Sequence, residues 1–188
     1  MPPNNSTQQE PIVSDKLIRE IPLIRRFARH NEAEDFRFRQ FLKVRVSLST
    51  EALDGVVRET TDEVWKQIDC TKCAHCCKTL SVVVDAADIG RLATRLGMTR
   101  PQFSKRYVKR DEDGTRCFAI SPCAFLGGDN RCTVYEDRPK ACRDFPYLHE
   151  KHFTSRSFMM IENTAVCPIV FNVWQALKDR LGFRRKGR

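Results

Sequence analysis

Apolar side chains recur at helical spacing on both sides of a cysteine-rich middle region. Between residues 51 and 68 the apolar positions fall on one face, and Thr50 is placed to cap the start of the predicted helix. Residues 168–181 show the same spacing and predict a second amphipathic helix. Residues 15–45 are also helical in pattern, and we expect Pro22 to break this helix.

The middle of the chain predicts shorter elements. The β-branched run LSVVV at 80–84 indicates a strand. Asp85 is placed to cap the helix that follows, and Gly97 to end it. Thr99 and Gln102 have the spacing of a capping box, so the next helix is expected to begin there.

Short strands and a turn are predicted further along. The strand candidates lie at 116–120 and 123–126, and GGDN at 127–130 is typical of the turn in a β-hairpin or knuckle. A short helix is then predicted to carry Cys142.

The composition is that of a globular protein. Apolar residues make up 41% of the 188 residues and charged residues 30%, and no apolar run approaches the roughly 18 residues that a membrane span needs. The N-terminus lacks the pattern of a secretory signal, so we expect a cytoplasmic protein without membrane association. We divide the chain into a disordered tail, a helical arm, a cysteine-cluster domain and a basic tail, at residues 1–14, 15–50, 51–183 and 184–188.

Nine cysteines are unusual for a reducing compartment, where structural disulfides are rare. They are better explained as metal ligands or redox thiols. The stretch CTKCAHCC at 70–77 has the C-x2-C spacing that lets two thiolates reach one metal ion, and its third cysteine is typical of iron–sulfur sites. Because adjacent side chains tend to diverge, we expect Cys76 and Cys77 to face two metal ions, or one of them to bridge both.

Four more cysteines lie beside turns or helix starts, where backbone N–H groups can donate to sulfur and stabilise thiolate charge. All-thiolate ligation suits zinc and iron–sulfur centres equally, so the cofactor stays open between them. We expect an α+β fold, a mainly helical small domain with short strands or a β-hairpin organised around a cysteine-ligated metal centre. The eight candidate ligands, whose division between centres the spacing leaves open, are Cys70, Cys73, Cys76, Cys77, Cys123, Cys132, Cys142 and Cys167.

The formal net charge of +9 suggests nucleic-acid binding as a further hypothesis. Residues 1–69 contain 11 basic and 12 acidic groups, so the excess lies in the cysteine-bearing remainder, where it would offset thiolate charge. The paired C-x2-C motifs of zinc nucleic-acid modules are missing. We therefore rank nucleic-acid binding last and expect an unknown protein or redox partner.

Three separated motifs occur in the order typical of the YkgJ family of bacterial cysteine-cluster proteins, which the chain resembles over roughly residues 65–170. They are CTKCAHCC at 70–77, CAFL at 123–126 and CTVYEDRPKACRDFP at 132–146. The resemblance implies chelation of zinc or of an iron–sulfur centre by the eight cysteines. Cys117 falls outside the family pattern and is not included among the ligands.

The resemblance also implies an alternative function. A related cysteine cluster occurs in flagellin lysine N-methylases. In this second interpretation, the chain would be an iron–sulfur-dependent enzyme similar to those methylases, or an iron–sulfur oxidoreductase. The sequence shows neither a glycine-rich S-adenosylmethionine loop nor the C-x3-C-x2-C signature of radical enzymes. Both differences weaken the methylase interpretation, and whether the chain is an enzyme stays open.

Two arginines, an aromatic ring and a histidine are candidates for support around the centre, namely Arg138, Arg143, Tyr135 and His75. The arginines bracket Cys142, and their guanidinium groups either neutralise thiolate charge or pair with Asp137 and Asp144. The tyrosine is expected to shield the centre from water. The histidine is either a ligand, a hydrogen-bond donor to one, or an exposed side chain.

Overall fold

The computed structural model describes residues 17–185. The disordered tail expected at 1–14 lies outside these residues, as do the last three residues of the basic tail. The described chain divides into two compact units. The cysteine unit is Asp69–Tyr147, and the helical unit is formed by the segments that run up to Ile68 and onward from Leu148.

Helices dominate the described residues, which also form a small antiparallel sheet, so the predicted α+β class is confirmed. No helix within them is both long enough and apolar enough to span a bilayer. A short 3₁₀ helix, Tyr135–Asp137, precedes α7. In chain order the other elements are α1 (Ile21–Val44), α2 (Thr50–Trp65), α3 (Cys70–Cys73), α4 (His75–Thr79), α5 (Ala86–Arg95), α6 (Arg100–Tyr107), β1 (Val108–Arg110), β2 (Arg116–Phe118), α7 (Lys140–Asp144), α8 (Phe153–Thr164) and α9 (Pro168–Arg180).

The starts of α1 and α2 differ in detail from the prediction. Pro22 lies in the first turn of α1 and does not break it, because the first turn needs no intrahelical N–H from that residue. Ser49 caps α2 in place of Thr50, and its hydroxyl accepts a hydrogen bond of 3.2 Å from the Ala52 N–H. The division of the chain into an arm and a domain at residue 50 stays a prediction.

Four helices pack together in the helical unit. α1 contacts α8 and α9, and α2 also contacts both. At the centre, the rings of Phe38 and Trp174 meet edge to face with centroids 5.0 Å apart. A buried ion pair lies beside them, because the Lys178 ammonium, which is fully buried, is 2.6 Å from Asp35 Oδ1 and 2.7 Å from Glu34 Oε1. The indole N–H of Trp174 also donates to Asp35, which ties α9 to α1.

Helix α8 was not among the elements predicted from the sequence. Its first turn is capped from α2, because the Asp54 carboxylate accepts hydrogen bonds from the backbone N–H groups of His152 (2.7 Å) and Phe153 (2.9 Å). His152 has a left-handed backbone, with φ 60°. His149 Nε2 lies 2.9 Å from Asp62 Oδ1. Both histidines therefore make their contacts within the helical unit.

Local capping signals in the cysteine unit are confirmed. Asp85 caps α5 in a capping box with Asp88, and Gly97 follows the helix with φ 64°. Thr99 and Gln102 form the predicted capping box of α6. The helix ends at Tyr107 and leads directly into β1.

The hairpin of the cysteine unit lies earlier in the chain than predicted. β1 pairs with β2 in antiparallel register, with Lys109 opposite Cys117. The strands expected at 80–84 and 123–126 are each reduced to one isolated bridge, because neither finds a continuous neighbouring strand. The bridges join Val83 to Cys117 and Leu126 to Cys132.

An apolar core supports the cysteine-bearing segments of this unit. Phe103 is fully buried and lies 6.2 Å from Phe125, ring centroid to ring centroid, and Phe118 approaches Phe125 edge to face at 5.3 Å. Cys123 and Cys132 pack against this core while remaining partly exposed. Both thiols are therefore held at the edge of a rigid apolar cluster.

Candidate metal centre

The CTKCAHCC stretch folds into two very short helices, α3 and α4. Ala74 separates them with a left-handed backbone (φ 47°, ψ 21°), and its N–H donates to the Cys70 carbonyl at 2.9 Å. The side chain of Asp69 caps α3 by accepting from the Thr71 N–H. Since a left-handed residue cannot continue an α-helix, the chain changes direction inside the motif. A left-handed alanine costs roughly 1–2 kcal/mol, so the surrounding contacts must hold it in place.

The sulfurs of Cys76 and Cys77 lie 3.9 Å apart. These side chains lie close together because α4 places them in one helical turn, about 100° apart, whereas a strand would place them on opposite faces. The expectation that they face two metal ions, or that one of them bridges both, stays a prediction. Two sulfurs on one edge of a tetrahedron with bonds of about 2.3 Å are about 3.8 Å apart. The pair therefore has the separation of two ligands on a single ion.

The Cys77 thiol is also more acidic than an ordinary cysteine. A hydrogen bond from Cys76 lowers its pKa to about 7, and its own backbone N–H and the Lys78 ammonium act in the same direction against partial burial. A thiolate is the form that binds metals. Cys77 is thus prepared to act as a ligand near neutral pH.

A second segment is attached directly to this motif. The backbone N–H of Cys123 donates to the Cys77 carbonyl at 2.8 Å, and the Ser121 hydroxyl donates to the Lys78 carbonyl at 3.2 Å. These two hydrogen bonds therefore hold the segment that contains Cys123 next to Cys77.

The predicted knuckle is present between Cys123 and Cys132. Its tip is closed by a hydrogen bond of 2.7 Å from the Gly127 N–H to the Arg131 carbonyl, and Asn130 is left-handed with φ 64°. Burial raises the pKa of both thiols. The backbone N–H groups of Phe125 and Val134 oppose this rise by donating to the sulfurs of Cys123 and Cys132, respectively. Such N–H donors stabilise thiolates and tune a bound metal.

A third segment brings Cys142 on α7. The Asp88 carboxylate, buried on α5, accepts from the Lys140 N–H at 3.1 Å and pairs with the Arg91 guanidinium at 2.6 Å. Arg91 in turn donates to the carbonyls of Asp137 and Arg138. Sequence reasoning did not identify this clamp, and the position of Asp88 in the α5 capping box was its only local signal.

The cysteines of these segments act on one another electrostatically. Burial, together with the nearby thiolates of Cys77, Cys123 and Cys132, raises the pKa of Cys142 to about 12. Loss of hydration around the Cys70 sulfur, with neighbouring Cys73 and Cys77, raises its pKa to about 11, although the residue as a whole is exposed. Cys77 acts on thiols from every segment, so it lies at the electrostatic centre of the group.

The two predicted arginines act differently. Burial raises the pKa of Cys132 and Cys142. The Arg138 guanidinium opposes this rise, because a cation stabilises nearby thiolates. Arg143 donates instead to the Arg138 carbonyl at 2.6 Å. The carboxylates considered as their partners pair elsewhere, Asp137 with Arg95 and Asp144 with Lys140.

Tyr135 and His75 complete the predicted supporting group. The Arg138 guanidinium covers one face of the Tyr135 ring at 3.7 Å, but the tyrosine remains 52% exposed, so it contributes little shielding from water. His75 is the partly buried first residue of α4, and its carbonyl accepts from the Thr79 hydroxyl. Its part in metal binding stays a prediction.

The remaining two cysteines lie in different settings. Cys117 is 2% exposed in the middle of β2, where it packs as part of the core. Cys167 belongs to the helical unit, where it is 7% exposed and immediately precedes α9, which opens with Pro168. Its assignment as a ligand stays a prediction, whereas the other seven candidates all belong to the cysteine unit.

The donor set fits a thiophilic metal. Within residues 17–185, no group of three or more histidine, cysteine or acidic side chains is already gathered tightly enough to hold an ion. The thiols of this unit are of a kind that suits zinc, iron or an iron–sulfur centre. The assignment of the eight cysteines as ligands stays a prediction.

The fold and this thiol group define a cysteine-cluster domain. The chain belongs to the CxxCxxCC family, whose model is described as a "putative zinc- or iron-chelating domain" and matches residues 69–168, more than half of the 188 residues. The resemblance to a cysteine-cluster family is thereby confirmed. Neither the comparison with curated proteins nor that with solved structures gives a match.

Proposed function

We propose that this chain is a metal-chelating protein that binds zinc or iron through the thiolates of the cysteine unit, with Cys77 as the central ligand. The observation that carries the proposal is the separation of 3.9 Å between the sulfurs of Cys76 and Cys77. The backbone bond from Cys123 to Cys77 supports it, because it anchors a second ligand segment at the same place.

The remaining groups around the thiols have defined parts in this proposal. Arg138 offsets thiolate charge at Cys132 and Cys142, and the backbone N–H groups of the knuckle do the same for the sulfurs they reach. Asp88 and Arg91 keep α7 in place, so that Cys142 stays oriented toward the group. Bound zinc would supply a structural cross-link, whereas an iron–sulfur centre would carry electrons.

The closeness of the thiols suits a reducing location, because the sulfurs of Cys76 and Cys77 lie 3.9 Å apart. In an oxidising compartment, thiols as near as Cys76 and Cys77 would be exposed to oxidation. The proposal therefore includes a cytoplasmic location.

Chelation and colour test the proposal and distinguish the two metals. Anaerobically purified protein that binds zinc is expected to be colourless and to lose thermal stability when a chelator removes the ion. Protein that binds an iron–sulfur centre is expected to be brown, with broad visible absorption that reduction bleaches. A colourless preparation whose melting temperature is unchanged by prolonged chelation would contradict both versions.

A further inference from the structure

A cleft on the surface of the cysteine unit lies between α5, α6 and the 3₁₀ helix. It is shallow and open to solvent, and its volume of about 570 Å³ is within the range of roughly 300–1,000 Å³ that is usual for small-molecule sites. Three guanidinium groups and one carboxylate line it, which gives it an excess of positive charge. The residues that matter are Gly90, Arg91, Arg95, Arg100 and Asp137.

The Arg100 guanidinium lies against the backbone of α5 at Gly90. A Cβ added at Gly90 would be 2.8 Å from Arg100 Nη2 and 3.0 Å from Nε, closer than such atoms approach. Glycine inside a helix costs about 1 kcal/mol relative to alanine. The absence of a side chain here gives the guanidinium room to lie across the helix, facing the cleft.

The charge of Arg100 is not neutralised inside the described chain. Among residues 17–185, no carboxylate lies within ion-pairing distance of its guanidinium. Arg95 has a partner in Asp137, but at 3.6 Å and with its side chain 59% exposed, so this pair is weak. The cleft therefore offers two cations that an anionic ligand can engage.

Arg91 adds a rigid wall to the cleft. Its Nε and Nη2 atoms donate to the carbonyls of Asp137 and Arg138 and to the Asp88 carboxylate, which fixes the plane of the guanidinium. Its Nη1 atom takes no part in these bonds. A guanidinium that is already held in place loses little entropy when it binds a ligand.

We propose that this cleft binds the phosphate group of a small molecule, with Arg100 and Arg95 as its principal donors. Planar guanidinium groups form paired, charge-assisted hydrogen bonds with phosphate oxygens. The site is separate from the thiols and does not depend on which metal they bind.

Calorimetric titration of the full-length protein with inorganic phosphate tests this inference, against chloride at equal ionic strength. We expect saturable binding at one site in the wild type. Arg100→Gln is expected to weaken it by about tenfold or more, the effect of losing one charged hydrogen bond. Gly90→Ala is expected to weaken it too, because the new Cβ displaces the same guanidinium.

A matched glycine provides the control. Gly55 lies inside α2 with nothing within 4 Å of an added Cβ, so Gly55→Ala should leave phosphate affinity unchanged. Both alanine variants add the same helix-favouring residue, and circular dichroism and metal content should show that each remains folded. Absence of saturable binding to the wild type, or equal affinity in the wild type, Arg100→Gln and Gly90→Ala, would overturn the proposal. A phosphoserine peptide that binds more tightly than glycerol phosphate would overturn the small-molecule assignment, and the reverse order supports it.

Discussion

The carboxylate of Asp88, on α5, accepts a hydrogen bond from the backbone N–H of Lys140, 52 positions further along the chain. The same carboxylate completes the capping box of its own helix and pairs with Arg91. One buried acid thus connects the start of α5 to the start of α7, the short helix that carries Cys142. The position of that thiol therefore depends on a carboxylate that is engaged in hydrogen bonds and an ion pair.

Replacing Asp88 should loosen this connection. For Asp88→Ala we expect the free energy of unfolding to fall by about 2 kcal/mol, because the Lys140 N–H and the half-buried Arg91 guanidinium lose a charged acceptor. Metal should also be retained less well, since α7 is no longer held. Urea unfolding and metal analysis after dialysis measure the two effects. Asp113→Ala, in an exposed turn, is the control and should change neither. Equal metal retention in both variants would mean that the clamp does not position Cys142.

The knuckle offers a pair of adjacent glycines as a matched test. A Cβ at Gly127 would meet Asp129 Oδ1 at 2.8 Å and the Arg131 carbonyl at 3.2 Å, whereas one at Gly128 would meet nothing within 4 Å. Gly127→Ala should therefore shift the backbone between Cys123 and Cys132 and weaken metal binding severalfold, while Gly128→Ala should not. Competition with a coloured zinc chelator gives both affinities. If the two variants bind equally, the knuckle is not part of the centre.

Thiol reactivity in the metal-free chain should follow the pKa values. At pH 7 a substantial fraction of Cys77 is thiolate, because its pKa is lowered to about 7, whereas Cys142, with a pKa of about 12, is almost entirely protonated. Brief alkylation at pH 7, followed by mass spectrometry, should label Cys77 first.

The same alkylation experiment has an internal control. Cys76→Ala removes the hydrogen bond that lowers the Cys77 pKa, so labelling of Cys77 at pH 7 should slow. Cys73→Ala keeps that hydrogen bond and should leave the rate nearly unchanged. Faster labelling of Cys142 than of Cys77 would show that this order of acidities is incorrect.

The buried ion pair of the helical unit predicts a large stability effect. Lys178→Met leaves Asp35 buried without its cation, which should cost about 3–5 kcal/mol of unfolding free energy. Arg185→Met removes a more exposed cation that lies near Glu34 and Asp179, and it should cost less than about 1 kcal/mol. Chemical denaturation measures both, and a similar small loss in the two variants would mean that the buried pair contributes little.

The capping signals of the cysteine unit lie within a few residues and predicted the structure correctly, although the local signals at Pro22 and Thr50 did not. Contacts between distant residues were not predicted. The capping residues Asp85 and Thr99 act on N–H groups three positions away, so their patterns are local. The start of α8 depends on Asp54, which lies 98 positions before His152, and no local pattern reports this. The β-branched run at 80–84 has strand propensity, but propensity does not provide a partner strand.

The candidate site follows the same rule. The motifs identified which cysteines to consider, because their spacing is a property of the sequence itself. The convergence of Cys76 and Cys77 was missed because it depends on the helical backbone of α4. Likewise, Arg138 was identified by its position beside Cys142, whereas the Asp88 and Arg91 clamp requires the tertiary fold.

Metal content measured on anaerobically purified protein tests the central claim most directly, by elemental analysis of the wild type, Cys77→Ala and Cys117→Ala. Both variants remove one thiol, but Cys77 belongs to the converging group and Cys117 to the core beside it. We predict zinc or iron in the wild type and in Cys117→Ala, and a clear loss in Cys77→Ala. A wild type that contains neither metal while all nine thiols titrate freely, or a Cys77→Ala variant that keeps the full complement, would contradict the account.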